Sequence, residues 1–102
     1  MKQVMVRYKL KANKVEENRQ LVKTIFEELN TKHPVGLRYA SFGFPDGVTF
    51  IHIAFIETAV GENPLSMTEA FPLFTKAIKD RCEEPPVAMD LTEVGSYNFF
   101  KC

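Results

Sequence analysis

From Val48 to Glu57 the chain reads Val-Thr-Phe-Ile-His-Ile-Ala-Phe-Ile-Glu, apolar at both odd and even positions. A strand sends successive side chains to opposite faces. Thr49, Ile51, Ile53 and Phe55 therefore share one face, and Val48, Phe50, His52, Ala54 and Ile56 the other. Only His52 interrupts the second set. Neither face suits water, so this strand needs cover on both sides. That demand constrains the fold more than any other stretch of the chain.

The neighbouring segments say what the cover can be. Val4, Val6, Tyr8 and Leu10 alternate with Met5, Arg7, Lys9 and Lys11, the pattern of a strand with one buried face. Asn13 and Glu16 have the spacing of a capping box. Val15, Leu21, Val22, Ile25, Phe26 and Leu29 then form one helical stripe, closed by Lys32, His33 and Pro34. Strand-like runs at 36–44 and 48–57 flank Phe44-Pro45-Asp46-Gly47-Val48, a turn built from residues that set its dihedrals. Gly61, Asn63 and Pro64 mark a loop over 58–66. A short turn at 65–69 precedes a helix expected from about 70 to 82, with Ala70, Phe74, Ala77, Ile78 and Cys82 as its buried stripe. Glu83-Glu84-Pro85-Pro86 should end it, and 87–100 should form a last long strand.

The order β-α-β-β-α-β predicts one α+β domain over 1–102: a ferredoxin-like, four-stranded antiparallel sheet with two helices on one face. With Ile51, Ile53 and Phe55 assigned to the helices, Phe50, His52 and Ile56 fall on the open side. A two-fold homodimer, sheet face against sheet face, closes it. The alternative cover is the chain's own 58–66 loop.

Composition removes several function classes. Thirteen basic and thirteen acidic residues leave no net charge, which argues against a nucleic-acid partner. No apolar run is long enough to cross a membrane. Met1–Arg7 lacks the apolar core of a signal peptide. Cys82 and Cys102 have neither disulfide-scaffold nor zinc spacing, so a cytoplasmic setting without bound metal is expected. There is no glycine-rich phosphate loop.

The element order, the Gly36-Leu37-Arg38-Tyr39 opening of the second strand and the two-sided third strand resemble the dimeric α/β-barrel superfamily. Within it, the chain looks like the antibiotic-biosynthesis-monooxygenase-like domains. Arg81-Cys82-Glu83-Glu84-Pro85-Pro86 and Glu93-Val94-Gly95-Ser96-Tyr97 are similar to a signature of one bacterial subgroup. The resemblance implies a homodimer enclosing a small-molecule cavity. It also implies, for some members, oxidation of aromatic polyketides or quinols without metal, flavin or other cofactor. The chain departs from the pattern in having no Trp, and its second helix has no His, so haem degradation is not implied.

The candidate site residues follow. His52 could act as a general base on a phenol-like substrate, or could simply line a cavity with its nitrogens satisfied. Arg7, expected to share its space, and Arg38 compete to hold an anionic oxygen, or else lie at a rim. Tyr39, Ser41, Phe50, Tyr97 and Asn98 are candidate contacts for a small apolar or aromatic ligand. The leading expectation is a cofactor-independent monooxygenase on an aromatic or quinol-like substrate. The alternative is a non-catalytic ligand-binding or structural homodimer.

Overall fold

The computed structural model describes residues 1–58 and 62–99. Gly61 of the expected loop, Phe100 of the expected last strand and Cys102 lie outside the described residues. The elements are β1 (Lys2–Leu10), α1 (Val15–Lys32), β2 (Leu37–Gly43), β3 (Thr49–Ile56), α2 (Ala70–Lys76), α3 (Ile78–Arg81) and β4 (Cys82–Asp90), with 3-10 turns at Ala12–Lys14 and Pro64–Met67. The strands pair antiparallel in the order β2-β3-β1-β4, with the helices on one side. The expected fold is the one observed.

The β2–β3 hairpin is fixed by its turn. Asp46 Oδ1 accepts from the amides of Val48 and Thr49, and Oδ2 from the Thr49 hydroxyl, while Gly47 takes φ +78°. Gly36 is required at the hairpin's open end: at φ +84°, a Cβ there would lie 2.3 Å from the Glu57 carbonyl oxygen. A side chain would break the bond from the Glu57 amide to the Gly36 carbonyl.

Three expectations about the elements need correction. Asn13 is no cap, because it lies within the 3-10 turn and α1 begins at Val15, without a side-chain cap. The 70–82 helix is two pieces, broken at Ala77, whose ψ of 27° and φ of −128° leave the helical region. Pro72 stands at the third position of α2, where its missing N–H has no helical partner to lose. The third correction concerns Pro85 and Pro86, which lie inside β4 rather than before it, while 91–99 has no regular structure. An edge strand tolerates proline, and the β1–β4 register slips between Arg7 and Leu10, beside them.

The two faces of β3 are also the reverse of the expectation. Phe50, His52, Ala54 and Ile56 are buried beneath the helices, and Ile51, Ile53 and Phe55 are half-buried on the open face. The reason is register: Tyr8 pairs with Phe50 and Val6 with His52, so β3 follows the buried face of β1. The core gathers Tyr8, Leu10, Ile25, Phe50, Leu65 and Phe74 between sheet and helices.

Candidate functional site

His52 stands at the centre of the helix-covered face, 4% exposed, with a tyrosine on each side. Tyr8 Oη, from β1, lies 2.7 Å from its Nε2, and Tyr39 Oη, from β2, lies 2.5 Å from its Nδ1. Strand pairing explains the cluster. β3 is flanked by β1 and β2, and Val6 and Ser41 sit directly opposite His52 on its two neighbours. Tyr8 and Tyr39 are each two residues along from those partners, within diagonal reach.

The polar chain continues past Tyr8. Asn18, from the first turn of α1 and 1% exposed, donates from Nδ2 to Tyr8 Oη at 2.9 Å. Arg81, from α3 and 2% exposed, donates from Nε to Asn18 Oδ1 at 3.2 Å and from Nη2 to the Phe74 carbonyl at 2.6 Å. The second bond serves a carbonyl in the last turn of α2, just before the break at Ala77. Three strands and two helices thus contribute to one line: Tyr39, His52, Tyr8, Asn18, Arg81.

Burial sets the protonation of these groups. It lowers the His52 pKa to about 4, so the imidazole is neutral at pH 7. It raises Tyr8 to about 12 against a smaller opposing effect of the Asn18 amide, and raises Tyr39 further. Both tyrosines are neutral hydroxyls.

Beside this line lies a cavity of about 200 Å³. Tyr8, His52 and Tyr39 form a polar cluster on its sheet side, and Asn63 and Thr75 also line it. Val4, Val6 and Ala54 of the sheet and Leu65, Phe71 and Ile78 from the helical side supply apolar walls. His52 stacks on Phe74 with ring centroids 5.2 Å apart. Tyr39 stacks on Phe26 of α1 at 5.3 Å. The cavity lies within one chain, between sheet and helices, and not on the open face where the sequence reading placed it.

The candidate residues therefore separate. His52 and Tyr39 meet at the cavity. Ser41 and Phe50 face the helices too, but line a shallower groove against α1. Arg7 pairs with Ile51 and Arg38 with Phe55, so both lie on the open face with the sheet between them and His52. The expectation that Arg7 shares the space of His52 fails for the reason that reversed β3. Arg7 instead stands over the Phe44 ring. Tyr97, 88% exposed, and Asn98, at φ 56°, follow the sheet and line no part of the cavity.

Tyr8, Asn18 and Arg81 were missed, though two carried a signal. Asn18 lies three residues after Val15 and seven before Ile25, a polar residue inside the apolar stripe of α1. Arg81 lies seven after Phe74, inside the stripe of the second helical segment. A polar side chain in such a stripe has to find a buried partner. Among the described residues, no cluster of His, Cys, Asp or Glu could hold a metal ion, and no helix is long and apolar enough to cross a membrane.

No protein-family model matches the chain, and no curated protein matches it. Solved structures do. An antibiotic biosynthesis monooxygenase superposes with a TM-score of 0.75 at 17% identity, covering 93% of this chain and 100% of its own. A Mycobacterium tuberculosis protein gives 0.74 at 12% identity, covering 93% and 96%. SnoaB, a cofactor-independent oxygenase from Streptomyces nogalater, gives 0.68 at 11%, covering 95% and 96%. At these identities the likeness is one of fold, and the chain has the ferredoxin-like fold of the antibiotic biosynthesis monooxygenase structures.

Proposed function

We propose that the cavity between sheet and helices binds a single-ring aromatic molecule of the quinol class, and that the chain is a cofactor-independent monooxygenase acting on it. The observation that carries this reading is a largely apolar cavity with a hydrogen-bonded polar cluster, Tyr39–His52–Tyr8, on its sheet side. About 200 Å³ is a little more than the roughly 150 Å³ apolar cavity known to take benzene. The apolar walls hold the ring, the hydroxyl cluster orients its oxygen, and water is excluded from the reacting carbon. The reaction balances without a cofactor. A quinol with an open ring C–H takes up one dioxygen, gains one oxygen atom at that carbon to become the hydroxyquinone and releases the other as water.

In this reading His52 is a positioning residue. Both its ring nitrogens are engaged by tyrosines and burial keeps it neutral, so it holds Tyr8 and Tyr39 in place rather than taking the substrate's proton. Arg7 and Arg38 belong to the open face, where we place the contact with a second copy of the chain.

The test is oxygen uptake across a panel of single-ring quinols and polyhydroxylated aromatics. We expect uptake matched by quinone formation, reduced at least tenfold in Tyr39→Phe. Binding without uptake for every compound would replace the oxygenase with a non-catalytic ligand-binding domain.

A further inference from the structure

Arg81 is buried, yet among the described residues no carboxylate pairs with it. A guanidinium carries donors only. Its bond to Asn18 therefore has one sense, Nε–H to Oδ1. That orients the amide, so Nδ2 is the atom facing Tyr8 Oη and donates to it. Tyr8 Oη, already accepting, sends its own proton to His52 Nε2. A neutral imidazole has one N–H. With Nε2 accepting, that proton sits on Nδ1 and is donated to Tyr39 Oη. The Tyr39 proton comes last, and Tyr39 has no further acceptor among the described residues, only the cavity it lines.

We propose that Arg81, acting through Asn18, sets the direction of this whole relay. It holds His52 as the Nδ1–H tautomer and makes Tyr39 a hydrogen-bond donor to the cavity, which selects ligands bearing an acceptor oxygen. The reverse direction would press two donors, from Asn18 and His52, onto Tyr8 Oη and leave its own proton to the cavity, crowding three hydrogens around one phenolic oxygen. The fixed positive charge at one end polarises each bond toward the other. The chemical class selected is an aromatic carbonyl, quinone or phenolate oxygen. This selection rests on the ligand-binding reading above, whereas the tautomer does not.

Asn18→Asp tests the direction with almost no change of shape. An aspartate would pair with Arg81 through one oxygen and accept from Tyr8 through the other. Tyr8 would then accept from His52 Nε2–H, and Tyr39 would turn its proton to Nδ1. Long-range proton–nitrogen NMR on the labelled full chain reads the tautomer. We expect Nδ1–H in the wild type and Nε2–H in Asn18→Asp. Nε2–H, a mixture, or imidazolium in the wild type at neutral pH would overturn the proposal, and that measurement stands even if the variant does not fold.

Acetophenone and ethylbenzene, alike in shape and differing in the carbonyl, test the selection. One hydrogen bond should favour acetophenone about tenfold in the wild type, and the preference should vanish in Asn18→Asp. Equal binding to the wild type would overturn the selection alone. Failure of both probes to bind would sink the ligand-binding reading itself.

Discussion

At His52, the pH dependence of stability separates a buried histidine from an exposed one. The folded pKa, about 4, lies below the reference 6.5, so the unfolded chain binds more protons between those values. Stability is therefore complete above about pH 6.5 and falls as the pH drops toward 4. Linkage puts the loss at about 2 kcal/mol by pH 5. Urea unfolding at pH 7.5 and pH 5 should show it, and His52→Gln should remove most of the difference. An equal slope in both proteins would mean that His52 is not buried neutral. The sequence made His52 visible as the odd polar residue of an apolar strand. It hid the side on which His52 lies, because a strand apolar on both faces carries no phase of its own. The phase was available from β1, whose clean alternation fixes the buried face, but only once the β1–β3 register is known.

At the scale of elements, the position of α2 depends on a carboxylate from another helix. Glu28, near the end of α1, accepts from the amides of Glu69 and Ala70 at 2.9–3.0 Å and is itself held by Lys32 at 2.7 Å. It thus satisfies donors at the start of α2, where a negative charge is favourable. The Lys32 ammonium, then the α2 amides, hold its carboxyl down at about 2. A depressed carboxylate stabilises above its unfolded pKa, so this tie should loosen as pH falls from about 4.5 toward 2. Glu28→Ala should speed hydrogen exchange at the Glu69, Ala70 and Phe71 amides while leaving the β1–β3 amides protected. Unchanged exchange at 69–71 would show that packing of Phe74 alone holds α2. Nothing local in the sequence joins Glu28 to residue 69. What the sequence did show was each element whose signal is short-range: the strand alternation of β1, the stripe of α1, and the Asp46-Gly47 turn. It lost the break at Ala77 and the start of β4 at Cys82. There the chain answers to Arg81, which reaches back to the Phe74 carbonyl, and to the edge of a sheet that accepts two prolines.

The whole molecule is only 21 Å across its shortest axis, about the depth of one sheet and one helical layer. Among the described residues, its second sheet face is left uncovered over much of its area. Paired residues define that face in rows: Phe42, Ile51, Arg7 and Val87, then Ala40, Ile53, Met5 and Met89. Phe42, Val87 and Met89 are between 43% and 56% exposed. Phe99 lies tilted against Phe55, with ring centroids 5.7 Å apart, and covers one end. The aromatic surplus of the composition therefore divides, with Phe50 and Phe74 serving the cavity's side and Phe42 and Phe55 the open side. A second copy is the occupant we propose, since a two-fold axis through the Ile53–Met5 row would lay apolar row on apolar row, with Arg7 toward the rim. A contact of roughly 800 Å² per chain would be ordinary. Sedimentation at micromolar concentration should show a dimer. Ile53→Lys should give a folded monomer, because its side chain faces away from the cavity, and ligand binding should persist in it. A monomeric wild-type protein would sink the dimer and leave the cavity untouched. Loss of ligand binding in a folded Ile53→Lys monomer would mean instead that the partner shapes the site.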